Sequence, residues 1–350
     1  MGILANWSLA ALLAAFLLAA CGVLLTGLRI TKVVDRLADR TGVGEALAGA
    51  VLLGAATSLS GTIVSMTVAF DGYASLAYSN SIGGIAAQTA FLAIADVVYR
   101  KANLEHAAAD LANIFQSITL IVLLTLPLIA QTLPDFTILA VHPVSLVIPI
   151  LYVFALLVTR ALREHPMWHP VSTNDTRADT PDEETDDTRR ASTSQLFLSL
   201  FLLMLVMAFS GWVIAKTAGT LTGRLALSES LVGALATAVV TSLPELVTTI
   251  AAVRRGALQL AVGGIIGGNT FDTLFLTAAD LSYREGSLYH AAGPSDQFWT
   301  LTAILMTAVL LGGLILRQRK GPAHIGAESV GLLLIYLSAI AAQLTLGTDG

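Results

Sequence analysis

Thr57-Ser58-Leu59 recurs 184 residues later as Thr241-Ser242-Leu243, each time inside an apolar stretch, and the alignment that joins the two copies decides the fold. Without a gap, the same offset places Glu45 on Glu229, Gly49 on Gly233, Gly72 on Gly256, Ile82-Gly83-Gly84 on Ile266-Gly267-Gly268, Phe91 on Phe275 and Asp96 on Asp280. Chance identities between apolar stretches would fall on Leu, Val and Ala. These concentrate on Gly, Ser, Thr, Asp and Glu, so the chain contains an internal duplication.

The surroundings of the two copies are membrane-like. Of 350 residues, 55% are apolar and only 12% charged, half the charged share of an ordinary soluble domain. That balance describes a polytopic membrane protein. The single Cys21 excludes an internal disulfide and a multi-cysteine metal site. Leu18-Ala19-Ala20-Cys21 looks like a lipoprotein processing site, but Met1 to Ala20 holds no Lys or Arg and the apolar run continues to Leu28. The stretch therefore reads as a first membrane helix, with Cys21 a small helix-packing residue.

Apolar stretches long enough to span occur around 8–30, 42–70, 74–99, 108–131 and 137–162, and again around 195–218, 227–253, 257–282, 297–317 and 325–346. A span needs about 20 residues. The expected fold is thus all-α and integral to the membrane, with ten transmembrane helices as two inverted five-helix repeats. Residues 1–162 form the first, with its duplicated segment at about 45–96; residues 195–350 form the second, with its copy at about 229–280. Between them, 163–194 carries Asp175, Asp179, Asp182, Glu183, Glu184, Asp186 and Asp187 and few apolar residues, a flexible acidic linker.

With ten spans, the loops after odd-numbered helices collect sixteen Lys and Arg, from Arg29 to Lys320, against only Lys216, Arg224 and Arg284 on the other side. This bias places both termini outside and the linker in the cytoplasm, for a multi-pass protein of the cell (plasma) membrane. Five helices per half is an odd number, so the copies enter from opposite sides. The turn inside the first copy has Asp71, and the matching turn of the second has Arg254-Arg255. Inverted repeats with interrupted helices point to a secondary transporter with a midplane site. The expected partners are the lipid bilayer and small inorganic cations; neither nucleic acid nor a cofactor is expected, and the oligomeric state is open.

The second copy reads Thr241-Ser242-Leu243-Pro244-Glu245. Pro244 lacks an N–H, so the carbonyl of Val240 loses its helical partner and in a bilayer must find another donor or a cation. Thr241 and Glu245 share a helix face with Ser242 beside them. Hydroxyls, a freed carbonyl and a carboxylate are the hard oxygen ligands of sodium or calcium. One helix later, Gly267 and Gly268 precede Asp272, allowing close backbone approach. Acids in the membrane interior cost at least ~2.5 kcal/mol each, so Glu245 and Asp272 beside a proline break are functional candidates. Other acids fit structural roles: Glu45 and Glu229 follow Thr41 and Ser228 at helix starts, and Asp96 and Asp280 fall near helix ends as interfacial groups. His142, with no second imidazole nearby, reads as a lone structural histidine. No His-Glu-x-x-His motif or protease-like acid pair supports an intramembrane enzyme.

At these residues the chain resembles the sodium/calcium exchanger family of the cation/calcium exchanger superfamily. Thr241-Ser242-Leu243-Pro244-Glu245 and Gly267-Gly268-Asn269-Thr270-Phe271-Asp272 look like the two halves of that family's α-repeat. The resemblance implies a ten-helix antiporter that binds sodium and calcium alternately at its centre. By position it assigns Thr241, Ser242, Glu245 and Asp272 to ion coordination, and Thr57 and Ser58 to the mirror-related half. The first copy departs from the pattern: Ser60 and Gly61 stand where Pro and Glu are expected, and Gly84 and Gln88 where Ser and Asn are expected. Gly268 likewise replaces a Ser, while Asn80 is kept and Gln88 can still offer an amide oxygen. The well-matched second repeat favours sodium/calcium exchange. The missing first-repeat glutamate favours sodium/proton or another cation/proton antiport, with H+ as a further substrate.

Overall fold

In a bilayer every backbone N–H and C=O must be satisfied within the protein, and this sequence meets the demand with helices. The structure, a computed structural model, describes residues 4, 6–41, 54–99, 102–108, 110–171, 173, 192–319 and 325–346. The first half contains α1 (Leu9–Thr41), α2 (Leu59–Phe70), α3 (Ala74–Tyr99), α4 (Leu104–Ala107), α5 (Leu111–Thr132) and α6 (Val144–Glu164). The second contains α7 (Thr193–Leu225), α8 (Glu229–Thr241), α9 (Leu243–Arg255), α10 (Leu258–Asp272), α11 (Leu274–Ser282), α12 (Leu288–Ala291), α13 (Pro294–Leu316) and α14 (Ala327–Leu346). Most of the expected linker lies outside the described residues, as do Glu45 and Gly49.

Among the described residues seven helices (α1, α3, α5, α6, α7, α13 and α14) are long and apolar enough to cross a membrane, and the bent pair α8–α9 makes an eighth. Of the other two expected spans, the one at 42–70 lies partly outside the described residues, with the 12 residues of α2 inside them, and the one at 257–282 is split at Thr273 into 15 and 9 residues. Exposed Leu18, Ile150, Leu157, Phe201 and Leu334 stud the outer helix faces, where lipid replaces water. Cys21 is among the exposed residues of α1, so it does not pack inside the chain as expected. α1 lies along α7, while α3, buried along most of its length, runs through the middle.

The two copies break at equivalent residues. Ser58 (φ −78°, ψ 0°) precedes α2, and Ser242 (φ −95°, ψ 1°) joins α8 to α9 across a 46° bend. Pro244 sits just beyond the second break, but the first has Ser60 there, so the proline is not what fixes the conformation. Both copies then turn at a glycine, Gly72 (φ 88°) and Gly256 (φ 86°), a region that side-chain-bearing residues avoid. The glycine pairs do not interrupt their helices. α3 runs unbroken through Gly83-Gly84, and α10 continues past Gly267-Gly268 to Asp272. There the missing side chains bring helices together: a Cβ on Gly83 would lie 2.8 Å from the Cβ of Ala234.

Asp96 and Asp280, near the ends of α3 and α11, are fully buried within the protein. Asp96 accepts the backbone N–H of Leu104 (2.9 Å) and, across the halves, that of Gly326 (2.8 Å). Asp280 accepts the N–H of Leu288 (2.9 Å) and, across the halves, the N–H of His142 (2.8 Å) and the Ser145 hydroxyl (2.6 Å). Every partner of one aspartate that has a counterpart stands 184 residues from it, so the two anchors are mirror images. Donors on several sides offset the cost of burying a carboxylate. His142 is not alone either: its ring lies 5.4 Å from Tyr289 and 5.5 Å from His290.

Candidate cation site

The interrupted helices place their broken ends at the centre of the bundle. Ser58, at the head of α2, donates its hydroxyl hydrogen to Asp272 Oδ1 at 2.8 Å. Gln88, on α3, donates from Nε2 to Asp272 Oδ2 at 2.6 Å and to Ser242 Oγ at 3.2 Å. Gln88 and Asp272 are repeat mates, 184 positions apart, and so are Ser58 and Ser242. Ser58–Asp272 and Ser242–Gln88 are therefore two images of one contact, facing each other across the pseudo-two-fold axis. Gly84 and Gly268 leave the space for this crossing. A Cβ on Gly268 would come to 3.3 Å from Gln88 Oε1, and one on Gly84 to 3.5 Å from Ser242 Oγ.

Glu245 opens the first turn of α9. Its charge and that of Asp272 act on each other, with the Thr57 hydroxyl alongside. Its Oε2 is buried and accepts no hydrogen bond, as is true of Gln88 Oε1. Buried oxygens without donors are rare, and here they border a carboxylate pair. Thr241 behaves differently: its hydroxyl bonds back to the carbonyls of Thr237 (2.9 Å) and Ala238 (3.2 Å) on its own helix. Of the seven expected ligands, Ser58, Gln88, Ser242 and Asp272 are directly joined, Thr57 and Glu245 lie beside them, and Thr241 is turned away.

The site is lopsided in charge. Gly61, the mate of Glu245, faces Phe275, whose Cε2 lies 2.5 Å from where a Cβ would stand. The first-half carboxylate is thus replaced by an aromatic ring from the second half. Among the described residues no three His, Cys, Asp or Glu side chains converge as a metal cage. The centre thus gathers two carboxylates among hydroxyl, amide and backbone oxygens.

Three polar residues of the centre were not anticipated as site residues. Ser81 donates to the Asp272 carbonyl at 2.8 Å. Asn269 donates to Thr89 Oγ1 at 2.9 Å and keeps its Oδ1 unpartnered. Asn80 holds the backbone of α2 through the Gly61 carbonyl at 3.2 Å and Ser65 Oγ at 2.9 Å. For Asn80 and Ser81 the signal in the sequence was a polar run, Ser79-Asn80-Ser81, inside an otherwise apolar helix.

Comparison with known proteins agrees with this architecture. The family model described as sodium/calcium exchanger protein matches residues 11–160 and 194–345. The inner membrane protein YrbG of Escherichia coli (strain K12) is 29% identical over 145 residues, 41% of this chain and 43% of YrbG. The putative antiporter CaxA of Alkalimonas amylolytica is 29% identical over 125 residues, 35% of this chain and 39% of CaxA. Each match thus spans about two fifths of the curated relative. Among solved structures, the H+/Ca2+ exchanger CAX superposes with a TM-score of 0.63 at 16% identity, covering 97% of this chain and 87% of that one. The sodium-calcium exchanger NCX_Mj superposes with a TM-score of 0.60 at 18% identity, covering 95% and 99%. With both halves matched by one family model and the fold shared along nearly the whole length, the chain belongs to the sodium/calcium exchanger family.

Proposed function

We propose that the chain is a secondary active cation antiporter that exchanges sodium for calcium through the central site. The observation that carries this reading is the unpartnered Oε2 of Glu245, buried at the crossing of the two copies beside Asp272. Thr57, Ser58, Gln88, Ser242, Glu245 and Asp272 are the proposed ligands, with Thr241 reaching the ion only if its hydroxyl rotates off its own helix. In this reading residues 1–162 and 195–350 are the inverted repeats, residues 163–194 the cytoplasmic linker, and the termini lie outside the plasma membrane.

A second reading, sodium/proton or another cation/proton antiport, has its own support. Phe275 occupies the place of the missing glutamate, and both oxygens of Asp272 are engaged by neutral donors. Everted vesicles separate the two. Sodium/calcium exchange requires ⁴⁵Ca uptake driven by a sodium gradient; a sodium-driven pH change with no calcium flux selects the second. In either case Glu245→Gln is expected to abolish exchange while the protein still folds, and normal transport by that variant would remove Glu245 from the site.

A further inference from the structure

The two mirrored anchors differ in their hydrogen supply. The offset of 184 pairs Asp96 with Asp280, Ser329 with Ser145 and Glu105 with Tyr289. In the Asp280 anchor the chain of hydrogen bonds is complete. Ser145 donates its hydroxyl hydrogen to Asp280 Oδ2 at 2.6 Å, and Tyr289 OH lies 2.8 Å from the Ser145 oxygen. With the serine hydrogen committed to the carboxylate, the tyrosine is the donor of the second pair.

In the Asp96 anchor the tyrosine's place is taken by Glu105, which is 1% exposed and has no hydrogen-bond partner on either carboxyl oxygen. Ser329 is fully buried within reach of both Asp96 and Glu105, yet its hydroxyl makes a well-formed hydrogen bond to neither. One serine hydrogen cannot serve two carboxylates. A protonated Glu105 supplies the second hydrogen, as Tyr289 does, whereas an ionised one sets a bare buried charge beside another. The charges that act on Glu105 are those of Asp96 from α3 and Glu328 from α14, both acids. Asn103 donates to Glu328 Oε2 at 3.1 Å. Of the basic neighbours, the Arg317 guanidinium is bonded to the His106 and Val171 carbonyls, and Arg319 meets Asn103 N–H through its own carbonyl at 3.3 Å. The His106 ring spans the Arg317 carbonyl (2.7 Å) and the Thr173 hydroxyl (2.9 Å). From α10, Leu258, Ala261 and Val262 pack in one apolar cluster with Leu104 and Ala107. Burial first, then the two acids, raise the pKa of Glu105 from 4.5 to about 8. Among the described residues no three acids or histidines converge closely enough to hold a metal, so the ligand that fits this place is a proton.

We propose that Glu105 is a proton-binding site that clamps the two halves together beside the linker, its neutral carboxyl group taking the part that Tyr289 plays in the mirrored anchor. The clamp joins α3 and α4 of the first half to the head of α14 through the Asp96–Gly326 bond and Ser329. Thr173, at the start of the linker, reaches it through His106. The site is separate from the central one and holds whether or not the chain exchanges sodium for calcium. Acid keeps the carboxyl group neutral and the clamp closed. As pH rises towards about 8, the opened form with Glu105 ionised in water gains on the closed one. The other anchor stays closed throughout, because burial pushes the Tyr289 phenol above its already high ordinary value.

Two measurements on the purified full chain test this. Infrared difference spectra follow the C=O stretch of protonated carboxyl groups as pH is varied. A component with a midpoint near pH 8 is expected in the native protein, kept in Glu245→Gln and in saturating calcium, and lost in Glu105→Gln. Spectra of Glu105→Gln that match the native ones overturn the proposal, and so does displacement of the component by calcium, which would make the place a cation site. Amide hydrogen exchange, corrected for its intrinsic pH dependence, then compares residues 104–108 with the mirrored 288–292. Between about pH 6 and pH 8, protection of 104–108 is expected to fall by up to about tenfold per pH unit in the native protein and to stay level in Glu105→Gln. Residues 288–292 serve as the internal control and should stay level in both. A matching fall in both segments, or no fall in 104–108, overturns the clamp. Tyr289→Glu is an independent variant that should confer the same pH response on 288–292; a level response there in the folded protein also counts against it.

Discussion

Replacing Gly61 by Ala tests whether the asymmetry of the site is built into its packing. The added methyl would stand 2.5 Å from Phe275 Cε2 and 3.0 Å from Cζ, the closer of these roughly an ångström short of the ~3.5–4.0 Å of a carbon–carbon contact. The ring has little room to retreat. Phe275 is 4% exposed, edge-on to Phe271 at 6.4 Å, which is itself edge-on to Tyr152 at 5.8 Å. Overpacking of this kind costs about 1–3 kcal/mol. Phe275→Ala alone leaves a cavity and costs ~3–5 kcal/mol. In the double variant the methyl enters space that the ring has vacated, so the costs should fall short of additive by ~1–2 kcal/mol. Equilibrium unfolding in mixed detergent micelles, followed by tryptophan fluorescence, measures all four corners of the cycle. If G61A shifts stability by less than ~0.5 kcal/mol and adds simply to F275A, the ring does not occupy the glutamate's place and the argument from packing fails. If the cycle behaves as expected, Gly61→Glu in the F275A background returns a third carboxylate to the centre. Calcium should then bind at least tenfold tighter, a change of ~1.4 kcal/mol.

The mirrored anchors make a second prediction. An amide in place of either carboxylate turns one acceptor oxygen into a donor facing donors, at ~1–3 kcal/mol. Asp96→Asn and Asp280→Asn should therefore destabilise by similar amounts in the same unfolding assay, and a large cost for one with none for the other would break the symmetry argument. A third concerns Glu105 on α4, fully buried with both carboxylate oxygens unpartnered. Burial first, then the neighbouring charges of Asp96 and Glu328, raise its pKa from 4.5 to about 8. The folded protein thus keeps this proton where the unfolded chain has lost it. The stability it contributes is complete below the unfolded value and declines by up to ~1.4 kcal/mol per pH unit as pH rises towards the folded one. Glu105→Gln should flatten the loss of thermal stability between pH 6 and 8.5; an unchanged pH profile would refute the assignment.

What the sequence revealed and what it withheld follow from the range of the interactions involved. Thr57-Ser58-Leu59 against Thr241-Ser242-Leu243 was legible because both segments keep side chains that an apolar environment tolerates only for a reason. The pairing Ser58–Asp272 and Ser242–Gln88 was not legible, since it depends on two helices from opposite halves meeting with inverted direction, and no local pattern encodes that crossing. The partners of Asp96 and Asp280 were hidden for a similar cause: two of their donors lie 230 and 138 residues away along the chain. A signal was nevertheless present: Leu104-Glu105-His106-Ala107-Ala108 repeats at the same offset as Leu288-Tyr289-His290-Ala291-Ala292, and Ser145 repeats as Ser329. The duplication therefore extends beyond the interrupted helices to the anchors that join the halves.

That extension bears on the lopsided charge. The breaks at Ser58 and Ser242, the turns at Gly72 and Gly256, and the anchors at Asp96 and Asp280 are all paired, so nothing in the scaffold required the first half to lose its glutamate. The paired elements lie away from position 61, whose packing is set locally by Phe275. Phe275 fills the vacant side, Gln88 supplies an amide where its mate supplies a carboxylate, and the centre keeps two acids with neutral donors around one of them. Coulomb attraction for a cation grows with each ionised acid that faces it. A site with two acids therefore attracts any cation less strongly than one with three, while the fold that carries it stays the same.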